Sequence, residues 1–188
     1  FKKNVVAESG QKFAEAKLDE RDKRHLRMGD SRYVLEPNIK EGKGGLRDLH
    51  TLFWIAKYLY QVESVGELLN EGVLNSNEVK RFSKAQNFLW TIRSHLHYIA
   101  GRGEDRLTFD VQAEIGRRMG YRDHAGTLGV ERFMKHYYLT AKEVGDLTRI
   151  FCAALEAEKK RWNAFRVRAR DIFRRDLEGF KIESGRLT

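Results

Sequence analysis

The residues best suited to chemistry lie in one run, Leu35-Glu36-Pro37-Asn38-Ile39-Lys40-Glu41-Gly42-Lys43-Gly44-Gly45-Leu46-Arg47-Asp48-Leu49. It holds the only proline of the chain and three of its sixteen glycines. Glycine lets backbone N–H groups approach a ligand closely, and a helix start adds orphan donors and a partial positive charge. Lys40, Lys43 and Arg47 would add full charges at the same point. Lys40, Lys43, Gly44, Gly45 and Arg47 therefore make a candidate nucleotide or phosphate site. Glu36 and Asp48 are candidates for orienting a cation or Arg47. The spacing is not a Walker A loop, because Gly42-Lys43 is followed by Gly rather than Ser or Thr, and it is not a dinucleotide fingerprint. A plainer reading stays open. In it Gly44-Gly45 only turn the chain, the lysines are solvated, Asp48 sits in a first helical turn and Glu36 makes a structural salt bridge.

Other candidate groups are more scattered. His95 and His97 lie two apart on a helical stretch, so they point to different faces and cannot chelate one ion together. His50 follows Asp48 closely, while His124 and His136 are isolated. With no cluster at ligand spacing, no metal site and no catalytic residue is assigned within the chain. Arg102, Glu104, Asp105, Arg106 and Asp110 form a charged patch. It reads as an ion-pair network at a helix junction or as a contact to another domain.

The elements that must position these groups are mostly helices. Residues 1–27 are charged and helix-favouring, with a weak apolar face at Phe13, Ala14, Ala16 and Leu18, suited to connecting or bracing. Gly29-Asp30-Ser31 is a turn, and Arg32 to Asn38 an extended segment reading as a strand out to Pro37. Leu49, Leu52, Phe53, Ala56, Leu59 and Tyr60 give helical spacing over Leu46 to Tyr60. A short helical piece follows at Ser64 to Asn70. Asn75 with Glu78 predicts a capped helix whose stripe is Val79, Phe82, Gln86, Leu89, Arg93, Leu96 and Ile99, widened by Trp90 and Ile92 and stopped by Gly101 and Gly103. Phe109 to Met119 is a shorter helix with Ile115 and Met119 inward and Gly120 as its cap. The longest element starts near Thr127 or Val130 and runs to about Trp162, through Phe133, Met134, Tyr137, Ala141, Val144, Leu147, Phe151, Ala154 and Leu155. From Asn163 the pattern breaks, and residues 179–188 read as a glycine-punctuated strand or tail. The fold class is thus mainly α: a helical bundle with one long spine helix, plus a short extended segment before the Gly-rich turn.

Composition narrows the classes. The chain has 188 residues, enough for one domain with a real core, and a formal net charge of +9. That charge suits phosphates or an acidic partner surface. There is no basic stripe with interleaved stacking aromatics, so nucleic acid is not an expected partner. The single cysteine, Cys152, excludes an intrachain disulfide and reads as a small hydrophobe on a buried helix face. No apolar run approaches the roughly 18 residues needed to span a bilayer, and no signal peptide is recognisable. No membrane partner and a cytoplasmic location are therefore expected.

The run from Arg24-His25 through Gly29-Asp30-Ser31-Arg32-Tyr33 and Leu35 to Leu52, with Trp54, closely resembles the bacterial PII protein uridylyltransferase/uridylyl-removing enzymes. The likeness continues through Arg106-Leu107-Thr108-Phe109-Asp110-Val111-Gln112 and Val130-Glu131-Arg132-Phe133-Met134-Lys135-His136-Tyr137-Tyr138, covering most of residues 13–160. Glutamine synthetase adenylyltransferases, a sister family, carry a related Lys-Gly-x-Gly-Gly-Ile-Arg-Asp run. The resemblance implies a parent enzyme of nitrogen regulation that transfers UMP from UTP to a tyrosine of PII with Mg2+. It divides the chain into a remnant of the nucleotidyltransferase domain with a connector (1–40), a helical bundle domain (41–162) and a linker toward a further domain (163–188). The family's Asp-x-Asp pair, its His-Asp doublet and its glutamine-sensing ACT domains have no counterpart in the 188 residues. The expected reading is a fragment, inactive by itself and without tightly bound cofactor, whose partners are PII, UTP and the missing nucleotidyltransferase, HD and ACT domains. In that reading the helical domain supports the catalytic cleft, with the Gly-rich turn facing it. The alternatives are a docking or bracing module for PII or neighbouring domains, and part of a related adenylyltransferase-like regulator.

Overall fold

The computed structural model describes the backbone of residues 2–178, 182–183 and 186–187 and the side chains of residues 9–157 and 160. Five α-helices follow in order: α1 (Lys2–Arg27), α2 (Leu46–Tyr60), α3 (Ser76–Ala100), α4 (Phe109–Arg118) and α5 (Gly129–Glu178). A 3-10 turn at Val65–Leu69 joins α2 to α3. The protein is mainly α, as its periodicities predict. It divides into two compact units, Phe1–Phe151 and Cys152–Thr188. The second contains the end of α5 and a two-residue antiparallel pair, Ile182 opposite Leu187 and Glu183 opposite Arg186.

The core of the first unit is the meeting of three apolar stripes. From α2 come Leu46, Leu49, Leu52, Ile55 and Ala56, and from α3 Phe82, Ala85, Leu89, Ile92 and Leu96. From α5 come Phe133, Tyr137, Ala141, Val144, Leu147 and Phe151, all almost wholly shielded from solvent. Each set recurs at three- and four-residue steps, so one face of each helix leaves water. The entry of α3 is fixed by its sequence. The Asn75 side chain accepts from the Glu78 amide at 2.9 Å, and the Glu78 carboxylate accepts from the Asn75 amide at 2.7 Å. This capping box satisfies two donors that the helix cannot. Gly101, with φ of 63°, ends the helix in the left-handed region.

Helix α1 is a brace on α2. Phe13 packs on Tyr58 with ring centroids 4.6 Å apart, and Ala14 is buried. Gly10 permits this approach, because a Cβ there would lie 2.5 Å from Leu59 Cδ2.

Three local expectations need correction. The segment before Pro37 is not a strand: its pairing is a single bridge, Asn38 opposite Arg106, held by Ile39 N–H to Asp105 O (2.8 Å) and Leu107 N–H to Pro37 O (2.9 Å). Its partner is the loop between α3 and α4, and the missing Pro37 N–H stops any longer ladder. Trp90 does not widen the buried face of α3; it is 40% exposed, and the small Ala85 takes an inward position instead. Helix α5 does not stop near Trp162 but continues to Glu178. Losing the apolar stripe does not end a helix when residues 163–178 contain neither Gly nor Pro.

Candidate functional site

The Gly-rich turn is knitted from within. The Asn38 side chain accepts from the amides of Lys40 (3.1 Å) and Glu41 (2.7 Å), and the Gly42 amide donates to Asn38 O (2.9 Å). The Gly45 amide donates to Gly42 O, Leu46 to Ile39 O and Arg47 to Lys40 O, at 2.9, 3.0 and 2.9 Å. The Gly44 amide donates to Asp48 Oδ2 at 2.8 Å. These seven amides are thus bonded within the protein, and Gly44 and Gly45 are buried. Sterics make glycine necessary here. Gly44 has φ of +84°, and a Cβ on it would lie 2.5 Å from Ala141 O in the middle of α5.

Asp48 is the hub beneath this turn. Its carboxylate, 4% exposed, accepts from Arg24 Nη2, from His25 Nε2 (2.9 Å to Oδ1 and 3.0 Å to Oδ2) and from the Gly44 amide. Arg24 also donates from Nε to Glu41 O at 3.2 Å. Two residues at the end of α1 therefore clamp the start of α2. Burying a carboxylate is costly unless its oxygens are hydrogen-bonded, and here both are.

The cations named from sequence are each engaged with an acid. Arg47 donates to Glu41 Oε1 through Nη2 (2.9 Å) and Nε (3.2 Å) and lies over the Trp54 ring. Lys43 donates to Asp30 Oδ1 at 2.6 Å. Lys40 lies between Glu41 (3.7 Å) and Asp105 (3.6 Å). Asp105 is further bound by Arg93 (2.7 Å) and His97 (3.3 Å). Burial by itself would raise the Asp105 carboxyl; the hydrogen bonds from Arg93 and His97, with the charges of Arg93 and Lys40, outweigh it and hold the group below its ordinary range.

Among residues 12–152 the sequence matches a model of the GlnD PII-uridylyltransferase family. The chain belongs to that family. It is 65% identical over 190 residues to a bifunctional uridylyltransferase/uridylyl-removing enzyme of Azospirillum brasilense, and 59% identical over 187 residues to one of Rhodospirillum rubrum. Both alignments cover the whole chain and 20% of the relative, so the chain spans about a fifth of the curated relatives' length. No solved structure matches it.

For this GlnD-family segment, the acids expected to orient a cation or Arg47 hold other groups. Asp48 pairs with Arg24 and His25, while Arg47 is held by Glu41. Glu36 accepts from Arg106 at 3.2 Å, and its other oxygen accepts from the Phe109 amide at 3.0 Å, capping α4. Glu36 and Asp48 are thus each bonded to protein donors, and among the described residues no group of three or more His, Cys, Asp or Glu could hold a metal. Among those residues no helix is long and apolar enough to cross a membrane. Arg24, His25 and Glu41 were not assigned roles from sequence. Their one signal was membership of the family-like run, since Arg24 meets its partner 24 positions away.

Proposed function

We propose that the chain is the helical segment of a bifunctional uridylyltransferase/uridylyl-removing enzyme, acting in the cytoplasm on PII signalling of nitrogen status. The whole protein would transfer UMP from UTP to a tyrosine of PII, with Mg2+ held by acids outside these 188 residues. The part played by this segment is to brace the catalytic cleft. The observation that carries this reading is the Asp48 hub: the family-like motif is used to lock α1, α2 and α5 against one another, with its amides and cations already partnered. A rigid frame holds distant catalytic groups in register, where a displacement of about 1 Å is costly.

The test is UMP transfer to PII by the full-length protein carrying Arg47→Ala or Asp48→Asn. A brace predicts that Asp48→Asn lowers Tm and kcat together, with KM for UTP unchanged wherever the variant is folded. It predicts little change in KM for Arg47→Ala. A KM for UTP raised about tenfold by Arg47→Ala at constant Tm would remove the bracing reading in favour of direct nucleotide contact.

A further inference from the structure

A cleft of about 410 Å³ opens between the end of α1, the segment leading to Pro37 and the middle of α5. Four cations line it, Arg27, Arg32, Lys43 and Arg106, against one carboxylate, Glu36. Glu36 is already taken by Arg106 and the Phe109 amide, and Lys43 is paired with Asp30. Arg32 is different. Its Nε is enclosed without a hydrogen-bond partner, and its guanidinium lies against Gly145 of α5, where a Cβ would come within 3 Å of it. No ion pair or hydrogen bond to another described residue engages its guanidinium. A guanidinium offers five donors in a planar fork; Nε is enclosed, whereas the outer nitrogens of this half-buried side chain are not, and those are the donors that an acceptor in the cleft can meet.

A second donor lines the same cleft. Tyr137 is 1% exposed, and the Asp48 carboxylate is near enough for its charge to act on the phenol. Burial keeps the phenol protonated well above its ordinary range, so it can only be a neutral donor or acceptor there. A fixed fork, a buried hydroxyl and two flanking cations match the tetrahedral oxygens of a phosphoryl group better than a cation or an apolar ligand.

We propose that this cleft binds a phosphoryl oxyanion, with Arg32 as the main ligand, Tyr137 as a neutral donor, and Arg27 and Lys43 supplying attraction at the rim. The site shares Gly42 and Lys43 with the Gly-rich turn but is built on Arg32, and it does not depend on the bracing reading. The oxyanion is either free phosphate or the phosphate tail of a nucleotide, which share this chemistry.

The experiment is calorimetric titration of the full-length protein with inorganic phosphate and separately with inorganic triphosphate, at fixed ionic strength. Arg32→Gln and Tyr137→Phe are compared with wild type, and circular dichroism checks the fold. Arg32→Gln is expected to weaken binding at least about tenfold, and Tyr137→Phe about threefold. Triphosphate bound more tightly than phosphate, with the same sensitivity to Arg32, assigns the site to a nucleotide tail; equal affinities assign it to free phosphate. Should Arg32→Gln not fold, Tyr137→Phe decides, because it keeps the ring and removes one oxygen. The proposal is overturned if neither anion binds, or if binding is unaffected by both folded variants.

Discussion

Arg24 on α1 donates to the carboxylate of Asp48 in the first turn of α2, a buried pair separated by 24 positions in sequence. His25, the next residue, reaches the same carboxylate at 2.9 Å. Consecutive helical residues seldom serve one acceptor; here Asp48 sits over the last turn of α1, where both side chains converge on it.

Breaking this hub from one side leaves charge buried without a partner. Asp48→Ala is expected to lower stability by about 3–5 kcal/mol, the usual cost of orphaning a buried ionic partner. Arg24→Met combined with Asp48→Ala should cost less than the two separate losses added together, with a coupling above about 1 kcal/mol. Denaturant unfolding of the four proteins measures it. Strict additivity would show that the pair does not act as a unit.

Much of this architecture was legible because helices announce themselves locally. The bounds Leu46 to Tyr60 follow from the diglycine before and the spacing within, and Asn75 marks the start of α3 with its capping partner Glu78 only three residues on. The hub was not legible. Nothing near Arg24 or Asp48 indicates that they meet, because their contact depends on how the 28–45 connection folds back. The Gly-rich turn shows the same limit. Its shape could be read from glycine, but whether its amides faced outward depended on Asn38, Ile39 and Asp48 accepting or supplying their bonds. Trp90 was misplaced because hydrophobic spacing does not reveal that a tryptophan can lie outside on an Arg93 guanidinium, 5.1 Å from its ring centre.

Gly44 and Gly72 give a controlled pair. Both have positive φ, +84° and +67°, but a Cβ on Gly44 meets the Ala141 backbone at 2.5 Å, whereas Gly72 has nothing within 4 Å. Gly72→Ala should cost only the left-handed penalty, about 1–2 kcal/mol. Gly44→Ala should cost clearly more, since two backbones must part and the Gly44 bond to Asp48 is strained. Thermal melts of the two variants test this; equal losses would mean that α5 yields at Ala141 without cost.

His50 supplies a pH signature. Its ring lies 5.9 Å from that of Trp54 and 6.0 Å from that of Trp90. Burial first, and then the charges of Arg47 and Arg93, push its pKa below the ordinary 6.5. The unfolded chain therefore binds this proton more readily than the folded one. Stability should fall as pH drops from about 6.5 toward the lowered folded value, then level off. His136 acts in the same direction through burial and Lys84. His50→Gln should flatten part of that slope. An NMR titration placing the His50 ring at or above 6.5 would contradict the argument.

Asp105 acts on the acid side with the opposite chemistry. Burial opposes its ionisation, but Arg93, His97 and Lys40 converge on it and prevail, so its folded pKa lies below the ordinary 3.8. A depressed carboxyl contributes its full stability above the unfolded value and loses it as pH falls through the folded value. The contribution is thus present at neutral pH and is lost progressively as pH falls from about 3.8 through the lower folded value. Asp105 also holds the loop that bridges to Asn38, because its carbonyl accepts from Ile39 at 2.8 Å. Asp105→Asn keeps that carbonyl and removes only the charge. It is expected to lower stability at pH 7 and to make the acid limb below pH 3.8 shallower, while the backbone bridge persists in amide exchange. Unchanged acid unfolding in Asp105→Asn would show that the three cations are arranged around Asp105 without stabilising its charge.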